Sequence, residues 1–207
     1  ADRLATTAAA QQANQSGGIY TDAIVKGLAA DDAAKSETFR KDATHSVAVF
    51  GHRPPELGGY GENSVTLGIR RKLIEILRAK LEMQSDVQVL TGLGLGAEML
   101  AAEAAAASAT PYVVVLAFEG MELRWPDATQ KRFQELLGGA RSVTVASKEN
   151  PKTGVEYAKV MGRRDDEILR RATEAVLIRN GDDRTLGDLQ RKLERRFQDD
   201  VWIIDPQ

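Results

Sequence analysis

The chain has 207 residues, with 28 Lys and Arg against 30 Asp and Glu, so its net charge of −2 points to neither a polyanion nor an anionic membrane as the main partner. Cysteine is absent, which excludes disulfides, thiolate catalysis and Cys-type zinc sites, and with only His45 and His52 available no metal site and no required cofactor are expected. No apolar run nears the roughly 20 residues that span a bilayer, and the N-terminus lacks a secretory pattern, so a soluble, cytoplasmic protein is expected; the start at Ala1 leaves open that the chain is a fragment of a longer protein.

Residues 1 to 44 are rich in Ala, Thr, Gln, Ser and Asp and poor in large apolar side chains. Two short helices are expected there, over Leu4–Ala13 and over Thr21–Ala30, where Thr21 would cap and Ile24, Val25 and Leu28 share a face. The segment reads as a linker, an arm or a docking element.

From Ser46 onward short β-branched runs alternate with helical periods. The runs are Val47–Phe50, Val87–Thr91, Tyr112–Phe118, Ser142–Ala146, Ala175–Ile178 and Val201–Ile204. Helices are predicted near Val65–Met83, with Ile69, Leu73, Leu77 and Leu81 on one face, and near Ala97–Ser108, Thr129–Leu137, Val155–Arg171 and Leu186–Phe197. Alternating strands and helices imply right-handed crossovers. The expected fold is an α/β Rossmann-like three-layer sandwich over 45–207, with a mostly parallel sheet of about six strands and an N-terminal arm. In such a sheet a ligand sits beyond the carboxyl ends of the strands, where the strand order reverses.

The loop after the second run carries the strongest signal, for Gly92, Leu93, Gly94 and Gly96 lead directly into an alanine-rich helix. Glycine lets backbone approach a ligand, and a helix start offers free N–H groups to an anion, so the segment reads as a phosphate cradle or as a tight strand-to-helix turn. Glu98, in the first turn, would either complement the helix dipole or accept a ribose hydroxyl; Glu103 is expected on the surface.

After the first run, Gly51, His52 and Arg53 would place a cation and a ring at the mouth of the sheet, unless Arg53 pairs with Glu56; Asn63 would cap the next helix. Beyond Phe118, Glu119 stands where a ribose-binding carboxylate is found in dinucleotide folds, and Trp125 reads either as a lid over a base or as a rim residue packed on a helix. Arg163 and Arg164 are either anion ligands or an exposed helix face. Asn180 and Gly181 open a polar loop with Thr185 as a cap, a second anion-binding terminus that would pinch a phosphate against the first.

Together these residues resemble the SLOG superfamily, which includes the LOG phosphoribohydrolases, the DprA/Smf DNA-processing proteins and the YpsA-like proteins. VAVFGHRPPEL at 47–57 is similar to the first strand and loop of the YpsA-like branch, TGLGLGAEMLAAEAA at 91–105 to the family's glycine loop and helix, and Trp125–Pro126 falls where that branch also has a tryptophan. In the LOG enzymes a P-G-G-x-G-T-x-x-E stretch and a preceding arginine cleave an N-glycosidic bond. The matching residues here run from Asn180 to Asp188, so the resemblance implies Asp188 and Arg164 as the catalytic pair, with two glycines lost, the glutamate shortened and Arg164 one residue out of register.

The reading that follows is a module that binds a nucleotide or NAD-derived ligand, such as ADP-ribose, and signals to a fused domain or to a homo-oligomer. The alternatives are a LOG-like nucleosidase, a DprA-like single-strand DNA binder and, weakest, a NAD-dependent dehydrogenase. Net charge −2 and few aromatics count against nucleic acid as a partner.

Overall fold

Strands form where β-branched residues run uninterrupted, because a parallel strand is buried on both faces and needs apolar side chains at successive positions. The computed structural model describes residues 45–181 and 183–206, so the two helices expected within 1–44, and Asp182, lie outside the described residues. The elements in order are β1 (His45–Gly51), a 3-10 turn (Pro54–Leu57), α1 (Ser64–Met83), β2 (Val87–Thr91), α2 (Ala97–Ala107), β3 (Tyr112–Phe118), α3 (Asp127–Gly138), β4 (Ser142–Ser147), α4 (Gly154–Arg171), β5 (Glu174–Ile178), α5 (Arg184–Phe197) and β6 (Val201–Ile204).

All six strands are parallel, in the order β4-β3-β2-β1-β5-β6, where the sequence allowed for a mostly parallel sheet. Registers are set by apolar pairs such as Val47 opposite Val89 and Val49 opposite Val176. The period of two then divides the core. Val47, Val49, Val89 and Val114 face α1, α2 and α3 through Ile69, Leu73, Met99 and Phe133. Ala48, Phe50, Val113 and Leu177 face α4 and α5 through Ile168, Leu169, Leu193 and Phe197. The result is the three-layer sandwich that the alternation predicts.

From β1 the chain builds outward to β4, then returns to place β5 on the other side of β1. The order therefore reverses between β1 and β5, and the loops leaving those strands separate there into the crevice where such sheets receive ligands. The glycine loops after β2 and β5 do not leave adjacent strands, contrary to the pinching pair expected from sequence, because β1 lies between them. Among the described residues no helix is long and apolar enough to cross a membrane.

Candidate functional site

The β1 loop is tied into the sheet on both sides. His52 donates its backbone N–H to the Ile178 carbonyl at 3.0 Å, and its own carbonyl accepts from the Ala97 N–H at 3.0 Å. Gly96, the residue before α2, sits at φ 93°, and a Cβ there would collide with the His52 carbonyl oxygen. Glycine is required at this position because the start of α2 is pressed onto the β1 loop in a left-handed conformation. Asn63 caps α1 as expected, accepting from the Val65 and Thr66 N–H groups at 2.9 and 3.1 Å. The Arg53 side chain is exposed and pairs with neither Glu56 nor any other acid among the described residues.

His52 is 2 % exposed and bridges to the β5 loop. Its Nε2 accepts the Asn180 backbone N–H at 3.0 Å and lies 2.9 Å from Asn180 Oδ1, while Nδ1 faces the Asp183 carboxylate at 3.9 Å. His52 thus ties the β1 loop to the β5 loop at the base of the crevice.

The glycine loop is organised by a charge cluster that no local motif announced. Glu98 is 8 % exposed and Arg164 3 %. Arg164, from α4 in one helical layer, reaches Glu98, from α2 in the other, through Nη1–Oε2 at 3.1 Å and Nη2–Oε1 at 3.0 Å. Its Nε and Nη2 also donate to Asp165 Oδ1 at 2.9 and 2.6 Å. Glu98 Oε2 turns back to accept the Gly94 N–H at 2.9 Å. A Cβ at Gly92 would lie 2.6 Å from Arg164 Nη1 and 2.7 Å from Glu98 Oε2, so this glycine makes room for an ion pair over the end of β2. Thr91 Oγ1 steadies the turn, accepting from Leu93 N at 3.2 Å and donating to the Glu98 carbonyl at 2.9 Å. Leu93 is fully buried at φ 50°, a conformation that costs a branched side chain about 1–2 kcal/mol.

Burial alone would lower the Arg164 guanidinium, but Glu98 and Asp165 outweigh it and hold Arg164 above its ordinary value, with a smaller contribution from nearby Tyr157. Burial pushes the Asp165 carboxyl up; Arg164 pulls it back, and the like charge of Glu98 adds to the rise. With two carboxylates on one guanidinium, the cluster carries a formal charge of −1. Beside it, the N–H groups of Leu95, Gly96, Glu98 and Met99 find no acceptor among the described residues, the arrangement expected of a helix start open to an anion.

The remaining expected residues are dispersed. Gly51 ends β1 beside Ile178, Glu119 is exposed at the end of β3, and Arg163 is exposed on α4. Trp125 packs edge-on against Phe133 with ring centroids 5.4 Å apart, the packing of a rim residue on a neighbouring helix. Gly181 and Thr185 are exposed, and Asp183, not Thr185, caps α5 by accepting the Leu186 N–H at 2.9 Å, since a cap must precede the first turn. The implied catalytic pair is not brought together: Asp188 pairs with Arg191 on the exposed side of α5, whereas Arg164 is buried on Glu98. Glu103 is half-buried at the surface, where it pairs with Arg132 and lies 3.5 Å from Arg70 Nη1, fastening α1 to α3 across α2.

Two residues with a bearing on the site went unread in the sequence. Arg179 wraps the β5 loop, donating to the Asn180, Gly181 and Asp183 carbonyls at 3.0, 2.8 and 3.4 Å. The signal for it was an ionisable side chain placed directly after a buried strand. Tyr157 stands two turns before Arg164 on α4, 41 % exposed, edge-on to Phe118 with centroids 6.0 Å apart. It supplies an aromatic face near the charge cluster.

Fold and loops define a Rossmann-like domain with its crevice at the reversal between β1 and β5. Residues 47–186 match the YspA SLOG family (YpsA), which is more than half of the chain, and the chain belongs to that family. It is 27 % identical over 142 residues to the UPF0398 protein ABC2016 of Shouchella clausii, a match that spans 66 % of this chain and 73 % of that protein. Among solved structures it resembles DNA processing protein A from Helicobacter pylori, described for its single-stranded DNA binding mode, with a TM-score of 0.50 and 13 % identity over 78 % of this chain and 66 % of that one. DNA processing protein A from Streptococcus pneumoniae aligns at a TM-score of 0.44 and 16 % identity, over 77 % of this chain and 58 % of that one.

The H. pylori protein overturns the expectation against a nucleic-acid partner, because a protein that shares this fold is described for its single-stranded DNA binding. Whole-chain charge was the wrong measure. A strand follows the local field of one groove, which the sum over a surface does not describe.

Proposed function

We propose that this chain binds a nucleotide or NAD-derived ligand in the crevice beyond β1, β2 and β5 and signals its occupancy to a fused domain or a second copy. The observation that carries the reading is the start of α2, where four backbone N–H groups without acceptors among the described residues lie against the β1 loop, beside the reversal of strand order. A phosphate there gains donors already aligned by the helix, and exposed Arg53 adds charge from the β1 loop. The Tyr157 ring offers a base the kind of aromatic face that Trp125 would provide as a lid. Membership of the SLOG family supports the same reading.

Calorimetric titration of the folded chain with mononucleotides, ADP-ribose and cyclic dinucleotides tests it. Saturable binding below about 1 mM, a weak but measurable affinity, is expected for at least one of them. Absence of binding by every compound at millimolar concentration sinks the proposal.

Single-stranded DNA is a second reading, favoured by the H. pylori fold neighbour. An oligonucleotide arm separates the two. A DNA site tightens with oligonucleotide length and weakens steeply with salt as phosphate contacts accumulate, whereas a mononucleotide site does neither beyond its one or two phosphates.

A further inference from the structure

The geometry points to Glu98 as a gate on its own glycine loop: its carboxylate occupies the Gly94 N–H and the Arg164 guanidinium, and an anionic ligand enters by exchanging with it on both. The inference rests on the crevice being an anion-accepting nucleotide site and names what that site must do first. Gly94 supplies the N–H closest to the middle of the loop, and at 2.9 Å it is already bonded to Glu98 Oε2. Arg164 is the one buried cation of the cluster, and its Nη1 and Nη2 are both turned to the same carboxylate. A phosphate approaching the closed loop therefore meets Glu98 and Asp165 against a single guanidinium, a net repulsion, even though the donors it needs are a bond length away.

Exchange removes that conflict. A phosphate oxygen on Gly94 N–H and Arg164 repeats the contacts of Glu98 Oε2 with equal or higher charge, and the freed glutamate turns toward solvent at the mouth of the loop, where water solvates it. Arg164 keeps Asp165 throughout, so the guanidinium is never left without a partner. Because Glu98 and Arg164 belong to opposite helical layers, the exchange also breaks the ion pair that fastens α4 to α2 over the end of β2. Leu93, buried in its left-handed conformation between Gly92 and Gly94, is part of the segment that must move.

The test uses the whole chain, 15N-labelled, titrated with inorganic phosphate and with AMP while the Gly94 amide is followed by NMR, in wild type and in Glu98→Gln. The glutamine of E98Q keeps the shape and one acceptor for Gly94 but removes the competing charge. Both probes are expected to bind E98Q at least about tenfold tighter than wild type, with the Gly94 amide shifting in each. Asp165→Asn, which leaves the Gly94 bond intact, is expected to tighten binding in the same direction by less, and it stands in if E98Q does not fold. Unchanged or weaker binding in these variants overturns the gate. If wild type binds AMP and E98Q binds it more weakly, Glu98 is a ligand contact, and the nucleotide reading survives without the gate. If no form of the protein binds either probe, the gate and the anion site fall together.

Discussion

The two loops beside β1 are closed by opposite means. The β2 loop is held by formal charges, Glu98 and Asp165 on Arg164, drawn from both helical layers. The β5 loop is held by hydrogen bonds without an ion pair of that kind, the His52 ring on the Asn180 N–H and the Arg179 guanidinium on neutral backbone carbonyls. A buried ion pair is costly to desolvate and costly to break, but a second charged group is able to replace one of its members. The His52 ring is held by its own backbone bonds to Ile178 and Ala97, so its bond to the Asn180 N–H belongs to the framework. The difference assigns movement to the β2 loop and framework to the β5 loop.

The sharpest way to break this comparison is Arg164→Ala. It strands two carboxylates, one of them almost fully buried, and is expected to destabilise the domain by about 3–5 kcal/mol, read as a lowered urea midpoint. A loss near zero would mean that the cluster is solvated and that the β2 loop is not closed by charge.

His52→Ala leaves the Asn180 N–H without its acceptor and is expected to cost less, about 1–3 kcal/mol. Hydrogen exchange should then quicken at Asn180 while Gly94 keeps its protection. Equal loosening of both loops would show that they act as one unit and would remove the contrast.

Asp165→Asn is expected to have the smallest effect, and of opposite sign. The Asp165 carboxyl is raised above its ordinary value, so the protonated form contributes its stability fully below the ordinary carboxylate range, and that contribution is lost as pH rises through the raised value. At neutral pH the ionised group therefore carries a net cost, and the asparagine variant should melt slightly higher, by under about 1 kcal/mol. The gap should close as the solution is acidified through that range. A variant less stable at pH 7 would mean that the Asp165 bond to Arg164 outweighs its burial.

Much of the fold was legible because it is local. Continuous apolar runs such as Tyr112–Phe118 dictate buried strands, the spacing of Ile69, Leu73 and Leu77 dictates a helix with one buried face, and Asn63 before α1 dictates its cap. The candidate site was legible in part: the glycines, His52, Arg164 and Glu98 were singled out, but not which touches which. Glu98 and Arg164 are 66 residues apart, and nothing near either announces the other. Trp125 stayed ambiguous because a tryptophan after a strand end fits a lid and a rim residue equally, and its packing on Phe133 is a tertiary contact that no local pattern announces.

By itself, then, the sequence determined the alternation of elements, the three-layer sandwich and the position of a glycine loop at a helix start, since each rests on periodicity and backbone sterics within a few residues. Tertiary structure alone decided that this loop is filled by the protein's own carboxylate and that Asp188 lies away from Arg164. Those outcomes depend on how crossover helices bring distant charges over one strand end, where burial makes each charge demand a partner.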